Sequence, residues 1–337
     1  WQNREDYSFP KIQYEDLSKF LLLFIKYHID ISKLDFLNSP AYCNIKSGLE
    51  LLKTLGALDE TEQITSIGLQ MCDISLSPRF SRILVEVKNT LDNQLMLDTA
   101  ICCLLLEFNS ITSDYKVSSL YSLKSDLFYQ LECFKHLNKY CINPYSIDYN
   151  NLKRIKKYLP KILSQIGCKD VDTGNTDYER IRKYLAYGFP DNLFIFDQNK
   201  RGFVNDVIST PRIPYKNSTL TRGNHFLVGI PLNISNTIDT PTNNYKRLIL
   251  STSYSLDEVL TNFADLLTKK WSIDNDVIIE HVYYHDLEIT SYSLGTVDEL
   301  RASRPEEFHV EEKDYPKFNQ SISFLYFHDL KIKSSHD

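Results

Sequence analysis

Glycine is scarce, 10 among 337 residues, and none of it forms a G-x-x-x-x-G-K-[S/T] loop. That loop wraps nucleotide phosphates in backbone amides and a lysine. The D-E-x-H or D-E-x-D stretch that would hold magnesium is missing too, so nothing here hydrolyses a nucleotide by that route. Apolar runs stop at six or seven residues, as in Phe20 to Ile25 and Ala100 to Leu106, against the roughly 18 of a membrane helix. No membrane partner is expected. A G-x-S-x-G elbow for a serine hydrolase is also absent. The seven cysteines include no C-x-x-C pair, and Cys102 and Cys103 lie in the most apolar stretch, where a thiol stays protonated and inert. Reduced thiols in a cytoplasmic protein are expected. The opening residues, Trp1 to Asp6, show neither an initiator Met nor a leader pattern, as expected for a piece of a longer polypeptide.

What is present is a globular composition, 42% hydrophobic with a net charge of -6, long enough for two to four modules at roughly 150 residues or fewer per domain. The charge is uneven. Lys153 to Tyr254 holds 16 Lys and Arg against 8 Asp and Glu, a net of +8, which leaves -14 for the rest. A basic centre between acidic ends suits contact with a polyanion at one place, although a merely solvated basic face accounts for it equally well.

Periodicity divides the chain. Leu17, Leu21, Phe24, Ile25 and Ile29 recur at three- and four-residue steps from Tyr14 onward, and Ile45, Leu49, Leu52 and Leu55 mark a second helix closed by Gly56. Ala57 to Thr65 reads as two very short strands, after which Thr65 caps a further helix. Helix, helix, hairpin, helix is the order of a winged helix. Ser77-Pro78 opens a helical region that reaches Tyr187, with an all-apolar central helix at Leu95 to Leu106 and further helices at Asp126 to Tyr140 and Leu152 to Ile166. Short strands follow at Phe194 to Phe196, Gly202 to Ile208, His225 to Leu232 and Arg247 to Ser251, the texture of a small oligonucleotide-binding (OB) barrel. A helix, Leu256 to Thr268, then leads into a strand pair, Val277 to His285 and Leu287 to Leu294. His281 and His285 on such a strand stand about 13 Å apart, too far to share one metal.

Three stretches resemble the C-terminal half of DEAH-box RNA helicases, in the bacterial HrpB-type branch. They are Leu34 to Pro40 with Gly48 to Asp59, Ile64-Thr65, Gly68 and Met71; then Leu76-Ser77-Pro78-Arg79-Phe80; then Arg180 to Asn192. The resemblance implies a mixed α and β, multi-domain chain: the end of a motor-domain linker (1–8), a winged helix (9–76), a helical ratchet-like bundle (77–190), an OB-like barrel (191–254) and an HrpB-type C-terminal α+β extension (255–337). It implies an accessory region that closes a channel over single-stranded RNA and supports translocation and unwinding. Motor domains of the same polypeptide would supply ATP and magnesium chemistry, with an activating protein as a further partner. No cofactor and no catalytic residue are expected within this stretch itself.

For such a channel the candidate contacts are Arg180, Arg182 and Lys183 at the bundle exit, Lys200, Arg201, Lys216, Arg222 and His225 in the barrel, and Asn109 and Ser110 after the central helix. The first three cannot share one helix face, so at least one is expected to be merely solvated or paired with Asp177 or Glu179. Where the HrpB-type pattern carries an arginine after the central helix, Phe108 stands here, offering a base a stacking face instead. The run Lys153-Arg154-Ile155-Lys156-Lys157 reads as a solvated face, and Tyr184, Tyr187 and Phe189 read as core. The rival reading is a motor-less protein-interaction scaffold with vestigial RNA contact.

Overall fold

The structure, a computed structural model, describes residues 10–13, 15–137, 140, 144–169, 174–205, 210–215, 218–220, 223–233, 246–296 and 299. The linker expected at 1–8 lies outside these. The chain forms two compact units, residues 1–262 and 263–337.

The first unit begins with α1 (Ser18–Lys26), α2 (Tyr42–Thr54) and α3 (Ser66–Cys72). Leu21, Leu52, Leu55 and Met71 are buried among them, the residues whose spacing marks one face of each helix. The first helix starts at Ser18, later than the periodicity from Tyr14 suggests, because Asp16 Oδ1 accepts the Ser18 amide at 2.8 Å and fixes the start there. Gly56 ends α2 at φ +68°, a left-handed position that costs glycine no Cβ clash. The expected hairpin is reduced to one bridge, Leu58 with Ile64. Asp59 Oδ1 collects the Thr61 and Gln63 amides and the Thr61 hydroxyl, so the turn closes on its own carboxylate rather than on a ladder. Those bonds, led by the Thr61 hydroxyl, hold the carboxyl below its ordinary value. Thr65 caps α3 as the sequence predicts, its hydroxyl accepting the Gly68 amide at 3.0 Å.

The bundle follows with α4 (Pro78–Lys88), α5 (Asn93–Phe108), α6 (Asp126–Lys135), α7 (Tyr149–Ile166) and α8 (Tyr178–Gly188). Helix α5 is the central one, buried from Leu95 to Leu106 except for half-buried Leu97, with the polar Asp98 and Thr99 buried among the rest. Burial pushes the thiols of Cys102 and Cys103 upward, as their inert reading requires. The second and third resemblance stretches meet in space. Arg79 donates to both carboxylate oxygens of Asp191 at 2.5 and 2.7 Å and to the Gly188 carbonyl at 3.1 Å. A Cβ on Gly188 would stand 2.5 Å from the Ile83 side chain and 2.6 Å from the Arg79 carbonyl, so glycine is what lets α8 lie against α4. Helix α6 stops at Lys135, short of the predicted Tyr140. Tyr140 instead turns back to bond Glu132 at 3.2 Å, whereas in a continued helix the two would lie about 12 Å apart along the axis.

Five strands make a barrel-like sheet: β1 (Leu193–Asp197), β2 (Gly202–Val204), β3 (Ile213–Pro214), β4 (Phe226–Asn233) and β5 (Lys246–Tyr254). Their order is β2-β1-β4-β5-β3, with β3 and β5 parallel, and a bridge from Phe203 to Arg212 carries β2 back toward β3. Phe194, Phe203, Leu227 and Leu248 fill the interior. The two-residue β3 has no sequence signal of its own. Helix α9 (Leu256–Asn262) completes this unit.

The second unit is an antiparallel sheet of β6 (Leu267–Asp274), β7 (Val277–Tyr284) and β8 (Leu287–Thr296), in that order. Residues 267–268, predicted as the end of a helix, begin β6, which the sequence reading missed. Lys269 interrupts the apolar alternation of β6; its ammonium lies 2.9 Å from Glu280, itself buried on the same face.

Candidate nucleic-acid interface

Two hydrogen-bonded seams hold bundle and barrel together. Asp126, at the start of α6, accepts the Thr219 amide at 2.7 Å and the Ser218 hydroxyl at 2.7 Å, and Ser125 shares a 2.8 Å hydroxyl bond with Thr252. Burial raises the Asp126 carboxyl above its ordinary value, the three bonds from Ser218 and Thr219 opposing it.

Beside these seams a cleft of about 660 Å³ opens between the modules. Asn109, Ser110, Thr112 and Tyr145 line it from the bundle, and Tyr215, Ile249 and Leu250 from the barrel. Local devices shape both walls. Asn109 takes φ +71° and ψ 177° at the end of α5 and turns the chain sharply, outside the left-handed helical well and in a region that residues other than glycine rarely adopt. The loop beyond it is pinned by fully buried Gln130. Its carbonyl oxygen accepts the Ile111 and Thr112 amides at 2.9 and 3.1 Å, and its amide donates to the Thr112 carbonyl and the Tyr115 hydroxyl at 2.9 Å each. On the barrel side, the ladder between β4 and β5 slips between Val228 and Ile230. Leu250 adopts φ +49° in that bulge, and re-aiming side chains is what a bulge beside a site does.

Of the residues named from sequence, Asn109 and Ser110 stand on this cleft; the cations do not line it among the described residues. Arg180 pairs with Asp92 at 2.6 Å, and Asp177 lies 4.0 Å away. Arg182 Nε donates to Glu258 at 2.6 Å, its guanidinium lies over the Phe128 ring, and its carbonyl accepts the Tyr254 hydroxyl. Lys183 is exposed beside Glu179, Asp257 and Glu258. Lys200, Arg201 and His225 are exposed at one end of the β1–β4 ladder, where the Phe196 amide bonds the His225 carbonyl. From His225 to Ile230, the partner of Ile249, is about 17 Å at 3.4 Å per residue. Lys216 and Arg222 lie outside the described residues.

The Phe108 ring is engaged rather than open: the Arg154 guanidinium sits 4.2 Å above it and Tyr158 packs at 5.3 Å. Phe189 is core, against Phe80, but Tyr187 is 38% exposed under Arg82, contrary to its core reading. His281 lies on strand β7 as predicted, bonded at 2.8 Å to both Ser272 and Glu288. That relay stands on a sheet face whose ladder amides point along the sheet, so it has no oxyanion donors from its own strands. Sequence reasoning missed Tyr145, Tyr215 and Gln130; only the tyrosines carried a signal, as aromatics in polar turns.

Residues 48–76 match the helicase-associated winged-helix domain (HA2). The chain resembles the C-terminal region of DEAH-box RNA helicases. An ATP-dependent RNA helicase DHX35 homolog of Caenorhabditis elegans is 41% identical over 58 residues, which are 17% of this chain and 8% of that protein. An ATP-dependent RNA helicase of Schizosaccharomyces pombe is 35% identical over 80 residues, 23% of this chain and 7% of that one. The fold is shared with two crystal structures of Escherichia coli HrpB, at TM-scores of 0.61 and 0.59 and identities of 18% and 17%. They cover 88% and 89% of this chain. The chain spans 33–34% of those structures and less than a tenth of the curated relatives. No described helix is long and apolar enough to cross a membrane.

Proposed function

We propose that this chain is the accessory region of an ATP-dependent RNA helicase and that its cleft takes a single strand of RNA. The observation that carries the reading is the cleft itself, polar and aromatic on the bundle wall and aromatic and aliphatic on the barrel wall. Tyr145 is 98% exposed and Tyr215 43%, so both present rings to solvent where bases can stack without regard to sequence. Asn109 and Ser110 add hydrogen-bonding groups at one wall. The five-stranded order with one parallel pair, its ends joined by the single Phe203–Arg212 bridge, supports a barrel of the oligonucleotide-binding kind. Motor domains of the same polypeptide would supply ATP and magnesium, and translocation and unwinding would be theirs; a cytoplasmic location and an activating protein belong to the same reading.

The test is fluorescence anisotropy of a labelled 20-nucleotide oligouridylate titrated with the chain over a salt series. Micromolar binding at low salt that weakens with salt, and that Tyr145→Ala with Tyr215→Ala weakens further, is the expected result. Absence of binding at 20 mM salt overturns the reading.

One observation favours the interaction scaffold as a second reading. An apolar cavity of about 400 Å³ on the winged helix is bounded by Leu17, Phe20, Phe24, Ile31 and Phe36, with Phe20 56% exposed. Charge reversal at Arg182 does not separate the two readings, because Arg182 holds α8 to α9. The two tyrosines do.

A further inference from the structure

The walls of the cleft are poorly suited to phosphates: they present exposed Asp148 and no described lysine or arginine, Asp126 on the same wall being buried and bonded to Ser218 and Thr219. Helix α7 begins on that wall, since Asp148 is both a lining residue and the N-cap of the helix. Its 18 residues hold Lys153, Arg154, Lys156, Lys157 and Lys161 and no acidic residue. All five are exposed, and none has an ion pair among the described residues. Leu152, Ile155, Ile162 and Ile166 are its buried face. At about 100° per residue, Lys153, Lys157, Lys161 and Arg154 fall within about 100° of one another on the opposite face. Lys153 with Lys157, and Lys157 with Lys161, are like-charge neighbours four residues apart, an arrangement that works against the helix.

Arg154 joins this stripe to the cleft. Its guanidinium rests on Phe108, the residue before Asn109, and one turn earlier Asn151 donates to the Ser110 carbonyl at 3.2 Å. The side chain is therefore oriented by the ring beneath it and retains its donors for an anion. Tyr149, 59% exposed, stands on the same side of the helix as Lys153.

We infer that α7 is a phosphate track: the backbone of the RNA whose bases enter the cleft continues along Lys153, Lys157 and Lys161, with Arg154 gripping the phosphate at the cleft's mouth. The inference rests on the cleft binding RNA and adds where the phosphodiester chain runs outside it. Asp148 and the aromatics of the cleft then face bases, and cations without a described carboxylate partner face phosphates.

The experiment compares the chain with a Lys153→Gln, Lys157→Gln, Lys161→Gln variant and with Arg154→Ala and Arg154→Lys, using the same oligouridylate and salt series. Three lost contacts make the log-log salt slope shallower by about 2, at about 0.7 per phosphate on a single strand, and weaken binding roughly 100-fold at 0.1 M salt. Arg154→Ala weakens binding more than Arg154→Lys, since a point charge replaces part of the guanidinium's contact. Circular dichroism melts of the glutamine variant are unchanged or raised, because its like charges are gone. If the wild-type chain binds no RNA, the reading of the cleft fails and this inference with it. If the wild type binds and the tyrosine variant loses affinity while the α7 variants keep both affinity and slope, the track alone is overturned. If α7 loss abolishes capture of a duplex but leaves the single strand untouched, the track is likewise wrong as stated.

Discussion

Helices α7 and α8 are both basic, and the arginines of α8 are in the opposite situation to the cations of α7. On α8, Arg180 meets Asp92 and Arg182 meets Glu258, each at 2.6 Å, whereas the five cations of α7 face solvent without a described carboxylate partner. Positive charge on a helix face thus means two things here. On α8 it is internal cross-linking of bundle to α9 and of α8 to α5's cap; on α7 it is open to an external polyanion. The cleft lies beside the second kind, since α7 and not α8 starts from its wall.

The comparison can be broken at several points. The largest effect is expected at Gln130→Leu, which leaves the Ile111 and Thr112 amides buried without acceptors, at about 1–3 kcal/mol for each unsatisfied group. Urea unfolding should show that loss, and RNA affinity should fall with it because the Asn109–Thr112 wall loses its support. Arg182→Ala comes next. Its pair with Glu258 is about one-fifth exposed on each side, so solvent screening reduces the cost below that of a fully buried pair, to about 1–2 kcal/mol. The salt slope of RNA binding should stay as it was; a change there would mean that α8 also touches phosphate.

Asp92→Ala sharpens the contrast through pH. Asp92 caps α5, and its carboxyl is held below its ordinary value chiefly by the Leu95 amide and then by Arg180. A depressed folded-state value means the stabilisation is present above the unfolded carboxyl's pKa and is lost as pH falls through the folded one. The variant should therefore trail the wild type by about 1 kcal/mol at pH 7, with the gap between their urea midpoints closing toward pH 3. A gap constant with pH would show that the carboxylate's charge plays no part. Smallest is Lys157→Glu on α7, which replaces two like-charge neighbours with two opposite ones and should raise stability by a few tenths of a kcal/mol, while RNA binding weakens. Stability moving with affinity, in the same direction, would place α7 with α8.

Much of the fold was legible because local chemistry decides it. Gly56 and Thr65 bound the helices they were predicted to bound, and the apolar spacing of α5 leaves it no place but the centre. The failures are equally local in cause. Helix α6 ends early because Tyr140 finds Glu132, and β6 went unseen because Lys269 sits where its alternation calls for an apolar residue. The candidate site was less legible. Asn109 and Ser110 were found, while Tyr215 depends on the two-residue β3 and Gln130 looks in sequence like any polar position of an amphipathic helix.

Most of the order of secondary structure, β3 and β6 apart, follows from the sequence itself, as do the caps, the buried stripes and the helicase-like stretches, since each depends on residues within a few positions of one another. Which cations stay available does not. Arg180 finds its carboxylate 88 residues away and Arg182 finds one 76 residues away, and α7's lysines find none that is described. Charge acts through space with no memory of sequence separation, so only the folded chain could sort the basic residues that hold it together from those left facing outward.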